Sequence, residues 1–420
     1  MTEDQAPVDP TLSRAARRML TASAVRERAN RLFDLALMDR LEHFTVDLSR
    51  LDTTARFVAE LTRSEHPALE VPPHARWRDF DVGECDRWGM LAAAREWTDE
   101  REIGRAAVDL ATVSVLTDAG AGPRWVYAEA STGETYARSE GLAVASLAMF
   151  ASGIFSSEPF DPLRADARAL AGLTAEELAD GFQVSTSNPL VGLEGRLGLI
   201  NRLGQAMAYR GDIFTTDDGS IRPGGLVDHL FRLFPDGRVP APRVLEILLD
   251  GLGGVWPGSY LLGGVPLGDT WIHRKLVTDD ATSGLMPLHK APQWLTYSLI
   301  EPLTWAGLEI TDLDGLTGLS CYRNGGLMID SGLLQLRDRS QLAHVHAIDS
   351  ELVVEWRALT VALIDRLAGV VRQILDRNAW NFPLACVLEG GTWLAGRRLA
   401  REIRPDGSPP LMVESDGTVF

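Results

Sequence analysis

The stretch Ala24-Val-Arg-Glu-Arg-Ala-Asn-Arg-Leu-Phe-Asp-Leu-Ala-Leu-Met38 carries apolar side chains that recur every three or four residues. This spacing predicts an amphipathic helix with its arginines on the outside. The same periodicity predicts further helices at 92–116, 140–150, 192–207, 243–249, 292–301 and 350–376. Strand signals are few, and the best is a short hairpin at 124–136 with its turn at 131–133. The sequence therefore predicts a mostly α protein with a small β-hairpin.

The chain has 420 residues, which is more than one compact core usually contains, so we expect two helical lobes. The turn-rich segment Ser156-Ser-Glu-Pro-Phe-Asp-Pro162 indicates a boundary between about 160 and 180. We place an N-terminal helical lobe with the hairpin at 1–170. A C-terminal helical lobe at 171–420 carries most of the candidate site segments.

Composition excludes some classes of partner. A net charge of -17 and a pI near 5.0 oppose binding to a nucleic-acid duplex, although a local basic pocket can still bind a small anion. No apolar run is long enough for a membrane span, and no secretory signal is apparent. Cys85, Cys321 and Cys386 lie far apart and fit no disulfide or zinc pattern, which indicates reduced thiols and a cytoplasmic protein. Oligomeric state is not predicted.

Two dense polar segments in the C-terminal half look like parts of a ligand site. Gly315 to Gly332 packs Tyr322, Arg323, Asn324 and Asp330 among five glycines, which make a poor helix and a poor strand. We therefore expect a loop that is kept for its geometry. The second segment, Glu351 to Thr360, starts a long helix in which Glu355 and Arg357 point in different directions and Trp356 belongs to the core.

A third segment, Leu288-His-Lys-Ala-Pro-Gln-Trp-Leu-Thr-Tyr297, places His289, Lys290 and Trp294 around the start of a helix. A helix N-terminus with a lysine beside it suits a phosphate group. Standing alone, the segment is also typical of an ordinary helix start with a solvated lysine and packed aromatic rings.

Three other motifs have simpler interpretations. Ser114 to Gly122 resembles the turn of a dinucleotide site, but a helix end followed by a glycine turn is favoured. Lys275 to Gly284 resembles the loop of a phosphoribosyltransferase, but its acid-to-glycine spacing is one residue short, and a solvated acidic turn is favoured. His344, His346 and Asp349, with His289, contain zinc-ligand residue types, but surface histidines near the long helix are favoured.

Four segments together match a known family. They are Asn188-Pro-Leu-Val-Gly-Leu-Glu-Gly-Arg196, the Leu288–Tyr297 segment, Leu316-Thr-Gly-Leu-Ser-Cys-Tyr-Arg-Asn-Gly-Gly326 and Val354-Glu-Trp-Arg-Ala-Leu-Thr360. On these segments the chain resembles the family of the fourth protein of the URC uracil-catabolism pathway, also called the Urg-three-like family. The resemblance covers roughly 24–400.

More distantly, the order of segments is similar to that of the queuosine-salvage N-ribosyl hydrolases. That resemblance implies a DNA-glycosylase-like helical arrangement, and Leu116 to Trp125 loosely matches a segment of those proteins. In them the acid before Tyr-Arg is the catalytic candidate, but this chain has Cys321 there. A neutral thiol substitutes poorly for a carboxylate, so Asp330, Glu355 or Asp118 would have to supply the negative charge.

Together the resemblances imply hydrolysis of the N-ribosidic bond of a ribosylurea-type substrate, without metal or cofactor. We predict Glu355 and Asp330 as the catalytic carboxylates. The predicted substrate-binding residues are Asp118, Trp125, His289, Lys290, Trp294, Cys321, Tyr322, Arg323, Asn324 and Arg357. Arg323 and Lys290 would hold a 5′-phosphate if the substrate carries one. The sequence leaves two alternative functions open: a phosphoribosyltransferase, and a protein that binds the same metabolite without turnover.

Overall fold

A computed structural model describes residues 9–256, 258 and 260–419. It is 54% helical with few short strands, which confirms the predicted mostly α class. The helices are α1 Pro10–Met19, α2 Ala22–Leu37, α3 Leu51–Glu65, α4 Trp77–Phe80, α5 Arg87–Arg95, α6 Glu100–Leu116, α7 Arg138–Ala151, α8 Ala167–Gly172, α9 Ala175–Gly181, α10 Leu193–Tyr209, α11 Gly211–Phe214, α12 Gly225–Leu233, α13 Ala241–Gly251, α14 Lys290–Trp305, α15 Tyr322–Asp330, α16 Glu351–Leu375, α17 Leu384–Val387 and α18 Trp393–Ile403. A π-helical turn, Leu388–Thr392, joins α17 to α18.

The strands contain two or three residues each. They are β1 Phe44–Val46, β2 Val126–Ala128, β3 Thr135–Ala137, β4 Arg238–Pro240, β5 Leu261–Leu262, β6 Val265–Pro266, β7 Thr270–Ile272, β8 Leu285–Pro287, β9 Glu309–Thr311, β10 Leu334–Leu336, β11 Val345–His346 and β12 Met412–Val413. Among the described residues they form only two-stranded sheets. The predicted hairpin is confirmed as the antiparallel pair β2–β3, with Tyr127 opposite Tyr136.

The predicted helices are present, with two differences. The segment 92–116 is interrupted, because Glu96 adopts a left-handed conformation after α5 and the Asp99 side chain caps the start of α6. In α2 the prediction that the arginines lie outside is wrong for Arg28, which is buried and donates a hydrogen bond to Thr282 Oγ1 at 2.7 Å. This hydrogen bond satisfies only part of the guanidinium, because Arg28 Nη1 is buried and has no hydrogen-bond partner among the described residues.

The chain forms two compact units. The first unit combines the described part of Met1–His74 with Gly258–Gln293 and Asp312–Glu414. Its centre is α16, which packs against α2 and α3 and carries buried side chains from Leu352 to Leu375. The strand β1 pairs with the distant β10, and α15 packs against α18 and α16.

The second unit combines the described parts of Ala75–Pro257, Trp294–Thr311 and Ser415–Phe420. Its helices α6 and α7 pack together, α10 packs against α8, and β4 pairs in parallel with β9. The rings of Trp77, Trp88 and Trp305 form an aromatic cluster in which Trp77 is 4.7 Å from Trp305 and 5.5 Å from Trp88. Such edge-to-face contacts add to the stabilisation from buried area.

These units differ from the two predicted lobes, because the predicted division between residues 170 and 171 falls inside the second unit. Hydrophobic periodicity shows which face of a helix is apolar, but it does not identify the helix that covers it. In the first unit that partner is distant in sequence, since α2 packs against α16. Within the described part of the chain, no helix has both the length and the apolar character required to cross a bilayer.

The segment from Gly315 to Gly332 is only partly the loop we predicted, because residues 322–330 form α15. Gly325 serves close packing here. A Cβ atom at this position would lie 2.6 Å from the Trp356 ring, whose Nε1 donates to the Gly325 carbonyl at 3.0 Å. The low helix propensity of glycine is thus outweighed by the contact with α16 that only glycine permits.

Candidate functional site

The predicted site residues are divided between the two units. His289, Lys290, Cys321, Tyr322, Arg323, Asn324, Asp330, Glu355 and Arg357 belong to the first unit, and Asp118, Trp125 and Trp294 belong to the second. Their surroundings differ in how completely the polar atoms are already bound within the protein.

Glu355 lies in α16 and is fully buried. Its Oε1 accepts hydrogen bonds from the backbone amides of His43 at 3.2 Å and Phe44 at 2.9 Å, and its Oε2 lies 3.1 Å from His273 Nε2. These contacts join α16 to the start of β1 and to the segment after β7. A buried carboxylate requires such partners, and those of Glu355 are all parts of the fold.

Asp330, the last residue of α15, has a side chain that is 4% exposed. Both of its oxygens bind the Arg404 guanidinium, at 2.9 and 2.5 Å, in the two-bond geometry that arginine forms with carboxylates. This ion pair joins the end of α15 to the residue that follows α18. Like those of Glu355, the oxygens of Asp330 are bound by other residues of the first unit.

Arg357 forms a buried ion pair with Asp269, a residue that sequence reasoning missed. Its Nη1 and Nη2 donate to Asp269 Oδ1 and Oδ2 at 2.9 and 2.7 Å. The same carboxylate accepts from Trp271 Nε1 at 2.6 Å and from the Lys290 amide at 2.8 Å. Burial by itself raises the pKa of Asp269, but the charge of Arg357 and these hydrogen bonds bring the pKa below its usual value. The available sequence signal was an acid directly after the glycine-rich segment 251–268.

The start of α14 was predicted to bind phosphate. In the structure the Lys290 amide is bound by Asp269, so an internal carboxylate already takes the place of an external anion at this helix end. The ammonium group of Lys290 forms no ion pair with any described residue. His289 is fully buried with a φ of 47°, and its Nε2 donates to the Met19 carbonyl at 2.9 Å. Burial lowers the pKa of His289, which favours the neutral ring.

The start of α15 contains the segment that most strongly suggested a ligand. Cys321 caps the helix, because its Sγ accepts from the Asn324 amide at 3.5 Å. Asn324 Nδ2 donates to the Leu319 carbonyl at 2.9 Å. The Arg323 guanidinium lies 4.0 Å from the centre of the Trp393 ring, and its Nε donates to the Tyr322 hydroxyl at 3.3 Å. Cys321 thus fills the helix-cap position that Asp or Ser commonly occupies.

Asp118, in the second unit, stands in the turn that follows α6. Its Oδ1 lies 3.2 Å from Arg76 Nη1, and its Oδ2 accepts from Trp294 Nε1 at 3.2 Å. Its side chain is 11% exposed, whereas the Arg76 side chain is fully buried. Arg76 also binds Ser114 and Asp79. The structure therefore joins the predicted residues Asp118 and Trp294 by a direct hydrogen bond, and Asp118 also pairs with Arg76, which the sequence did not single out.

Trp125, which we predicted as part of a pocket wall, lies in the interior of the second unit. The side chain is buried, its Nε1 donates to the Phe182 carbonyl at 2.9 Å, and the two rings meet edge to face at 6.1 Å. It anchors the β2–β3 hairpin within the second unit. The bulk and polarity that suggested a binding residue are here used for core packing.

The structure also shows where the three motifs with simpler interpretations lie. The end of α6 precedes Asp118, so Ser114 to Gly122 is a helix end and not a strand turn. Lys275 to Gly284 connects the antiparallel strands β7 and β8, with Asp280 accepting from Thr278 and Thr282. His344 and His346 each have a ring nitrogen near a backbone carbonyl. Among the residues that the structure describes, no group of three or more His, Cys, Asp or Glu side chains is arranged to hold a metal ion.

Comparison with known proteins gives consistent matches over almost the whole chain. The chain is 38% identical over 414 residues to "Protein urg3" of Schizosaccharomyces pombe, covering 96% of this chain and 98% of the relative. It is 37% identical over 434 residues to "Uracil catabolism protein 4" of Lachancea kluyveri, covering 95% and 97%. These relatives confirm the predicted Urg-three-like resemblance. Residues 18–420 match the family model described as "Protein of unknown function (DUF1688)", and the chain therefore belongs to that family.

Proposed function

We propose that this protein acts in uracil catabolism and hydrolyses the N-ribosidic bond of a ribosylurea-type compound. A relative named for uracil catabolism, which is 37% identical over 95% of this chain, supports the pathway. The substrate and the reaction rest on the chemistry of the site and on the distant similarity to N-ribosyl hydrolases. The products would be urea and ribose, or ribose phosphate if the substrate is phosphorylated.

The reaction requires a negative charge close to the ribose. As the bond between C1′ and nitrogen breaks, its electron pair leaves with the nitrogen and positive charge develops on the sugar ring. A carboxylate stabilises this charge and accepts a proton from the attacking water, whose oxygen bonds to C1′. The departing nitrogen takes up a proton to form urea. No metal or cofactor takes part in this scheme.

We assign the carboxylate role to Asp118. The observation that supports this choice is the exposure of its side chain, which is 11%, compared with 4% for Asp330 and 1% for Glu355. Glu355 and Asp330, our first candidates, have oxygens that are bound within the fold. We therefore propose structural roles for those two acids. Arg76 and Trp294 would hold Asp118 in a fixed orientation.

The test is an NMR assay of ribosylurea and of its 5′-phosphate with protein pretreated with a chelator. Appearance of free urea and of a ribose anomeric signal is the expected result for at least one substrate. Asp118→Asn is expected to lower turnover by about 10²- to 10⁴-fold, the usual range for loss of an acid–base group.

Asp79→Asn is the matched control, because Asp79 binds the same Arg76 atom at 2.9 Å. This variant is expected to keep turnover within about tenfold of the original protein, since the catalytic carboxylate remains. Binding of both compounds without release of urea would contradict the hydrolase proposal and favour a ligand-binding protein. Equal losses in the two variants would contradict the assignment to Asp118.

A further inference from the structure

Arg196 in α10 has an unusual set of partners for a fully buried arginine. Its Nε donates to the Thr117 carbonyl at 2.8 Å, and its Nη2 donates to the carbonyls of Ala119 at 2.7 Å and Gly120 at 3.2 Å. Nη1 donates to the Val191 carbonyl. Within the described part of the chain, no carboxylate accepts a hydrogen bond from this guanidinium. It binds backbone carbonyls on both sides of Asp118 instead.

Burying the Arg196 guanidinium among backbone carbonyls costs free energy. Removing a guanidinium from water carries a large penalty, and burial lowers the pKa of Arg196 to about 10. The charge of Asp118 acts in the opposite direction and favours the cationic form. Arginine suits this position because its planar fork presents several donors at fixed angles, which the single ammonium group of lysine does not reproduce.

The contacts restrict the backbone on either side of the proposed catalytic residue. Three carbonyls of the 117–120 turn bind one rigid group, and the Val191 amide adds a hydrogen bond to the Ala121 carbonyl at 3.2 Å. The turn is thereby tied to the segment that leads into α10. A carboxylate that must lie next to a reacting bond benefits from this kind of support, because small displacements cause large losses of rate.

The start of α10 is itself held by the C-terminal segment of the second unit. A Cβ atom on Gly195 would lie 2.0 Å from the Asp416 carbonyl oxygen, so glycine permits this close approach. Gly192 has a φ of 71° and lies against Gly417 in the same way. The residue that carries the guanidinium therefore has a well-defined position.

We propose that Arg196 is a positioning residue that holds the 117–120 turn, and through it Asp118, in the arrangement required for activity. The effect on turnover rests on the function proposed above. The effect on the turn does not, and it is measured separately. The two readouts therefore distinguish failure of this inference from failure of the proposed reaction.

The experiment compares Arg196→Lys and Arg196→Met with Arg222→Lys in the full-length protein. Arg222 is the matched control, because it is an equally buried arginine of the second unit that binds Glu102 and Asp109 instead of the turn. Hydrogen exchange of the amides of residues 117–120 is measured under native conditions, together with kcat and KM for ribosylurea.

We expect the Arg196 variants to speed exchange in the turn by at least about tenfold and to lower kcat more than they raise KM. Arg196→Lys should show the smaller change, since it keeps the charge and part of the hydrogen bonding. Arg222→Lys should leave exchange in the turn unchanged. If Arg196→Met does not fold, Arg196→Lys decides the outcome. Unchanged exchange in the turn of a folded Arg196 variant would overturn the inference, whether or not the protein cleaves ribosylurea.

Discussion

The turn after α6 and the α15–α16 region contain similar residue types and use them differently. In the α15–α16 region, Glu355 and Asp330 bind backbone amides, a histidine and an arginine, and are almost completely buried. In the turn, Asp118 keeps partial exposure and is held by Arg76 and Trp294. A high density of polar residues in a sequence thus marks a place where hydrogen bonds are needed. It does not distinguish a reactive group from a structural one.

The difference follows from the cost of burying charge. A carboxylate inside a helical core is stable only when donors surround it, and those donors also occupy the lone pairs that a substrate would need. A carboxylate at the end of a helix can remain in contact with solvent. We therefore propose Asp118, and not Glu355 or Asp330, as the catalytic carboxylate, and the following variants test the contrast.

The largest effect on stability is expected from Asp269→Asn, which leaves the buried Arg357 without its carboxylate. We expect the free energy of unfolding to fall by about 3–5 kcal/mol, the usual cost of breaking a buried ion pair from one side. Urea denaturation measures this change, and Asp279→Asn, at an exposed acid of the same unit, should have almost no effect. If Asp118→Asn destabilised the protein as much as Asp269→Asn, the contrast between the two regions would fail.

Glu355→Ala is expected to lower the free energy of unfolding by about 3 kcal/mol, because two backbone amides and His273 lose their acceptor. The control is Glu351→Ala, one helical turn earlier, where the side chain is 25% exposed and pairs with Arg274. That change should cost less than about 1 kcal/mol. A Glu355→Ala protein that is as stable as the original would return Glu355 to the list of catalytic candidates.

Gly325→Ala tests whether the glycines of the α15 segment serve packing. The added methyl group would meet the Trp356 ring, so we expect a loss of about 2 kcal/mol, as for other overpacked cores. Gly326→Ala is the matched control, because its nearest neighbour would be the Pro410 ring at 3.3 Å. A neutral result at both positions would indicate that the segment keeps its glycines for another reason.

The smallest expected effect is the change in the free energy of unfolding per pH unit that depends on Asp109. This residue lies in α6, upstream of Asp118. Burial raises the pKa of Asp109 to about 7, against the opposing charge of Arg222. Between about pH 4 and pH 7 the folded state therefore holds a proton that the unfolded state has lost. The free energy of unfolding should fall as the pH rises through this range, by at most about 1.4 kcal/mol per pH unit.

Asp109→Asn should flatten this pH dependence, whereas Asp118→Asn should leave it in place. Urea denaturation at several pH values between about 4 and 7 measures both slopes. An identical slope in the original protein and in Asp109→Asn would show that another group is responsible. That result would also weaken the contrast between the fully buried Asp109 in α6 and the partly exposed Asp118 in the turn that follows it.

The helical class, most of the helix positions and the β2–β3 hairpin could be predicted from sequence, because periodicity and turn residues act locally. The family could be predicted from four short segments. Two long-range pairings could not be predicted from sequence, namely that of β1 with β10 and that of Asp269 with Arg357. Their partners are 88 or more residues apart, and nothing local specifies them. Asp118 could be singled out, but Arg76 and Arg196 could not, because a lone arginine is usually solvated.

Local chemistry thus established which segments are helical, which residues are available for a site and which family the chain resembles. Tertiary packing alone decided which groups bind each acid and how far its side chain is exposed. The physical reason is that hydrogen bonding and desolvation depend on neighbours in space. Glu355 and Asp118 are both acids in polar segments, and only their surroundings in the folded chain separate a structural carboxylate from a candidate catalytic one.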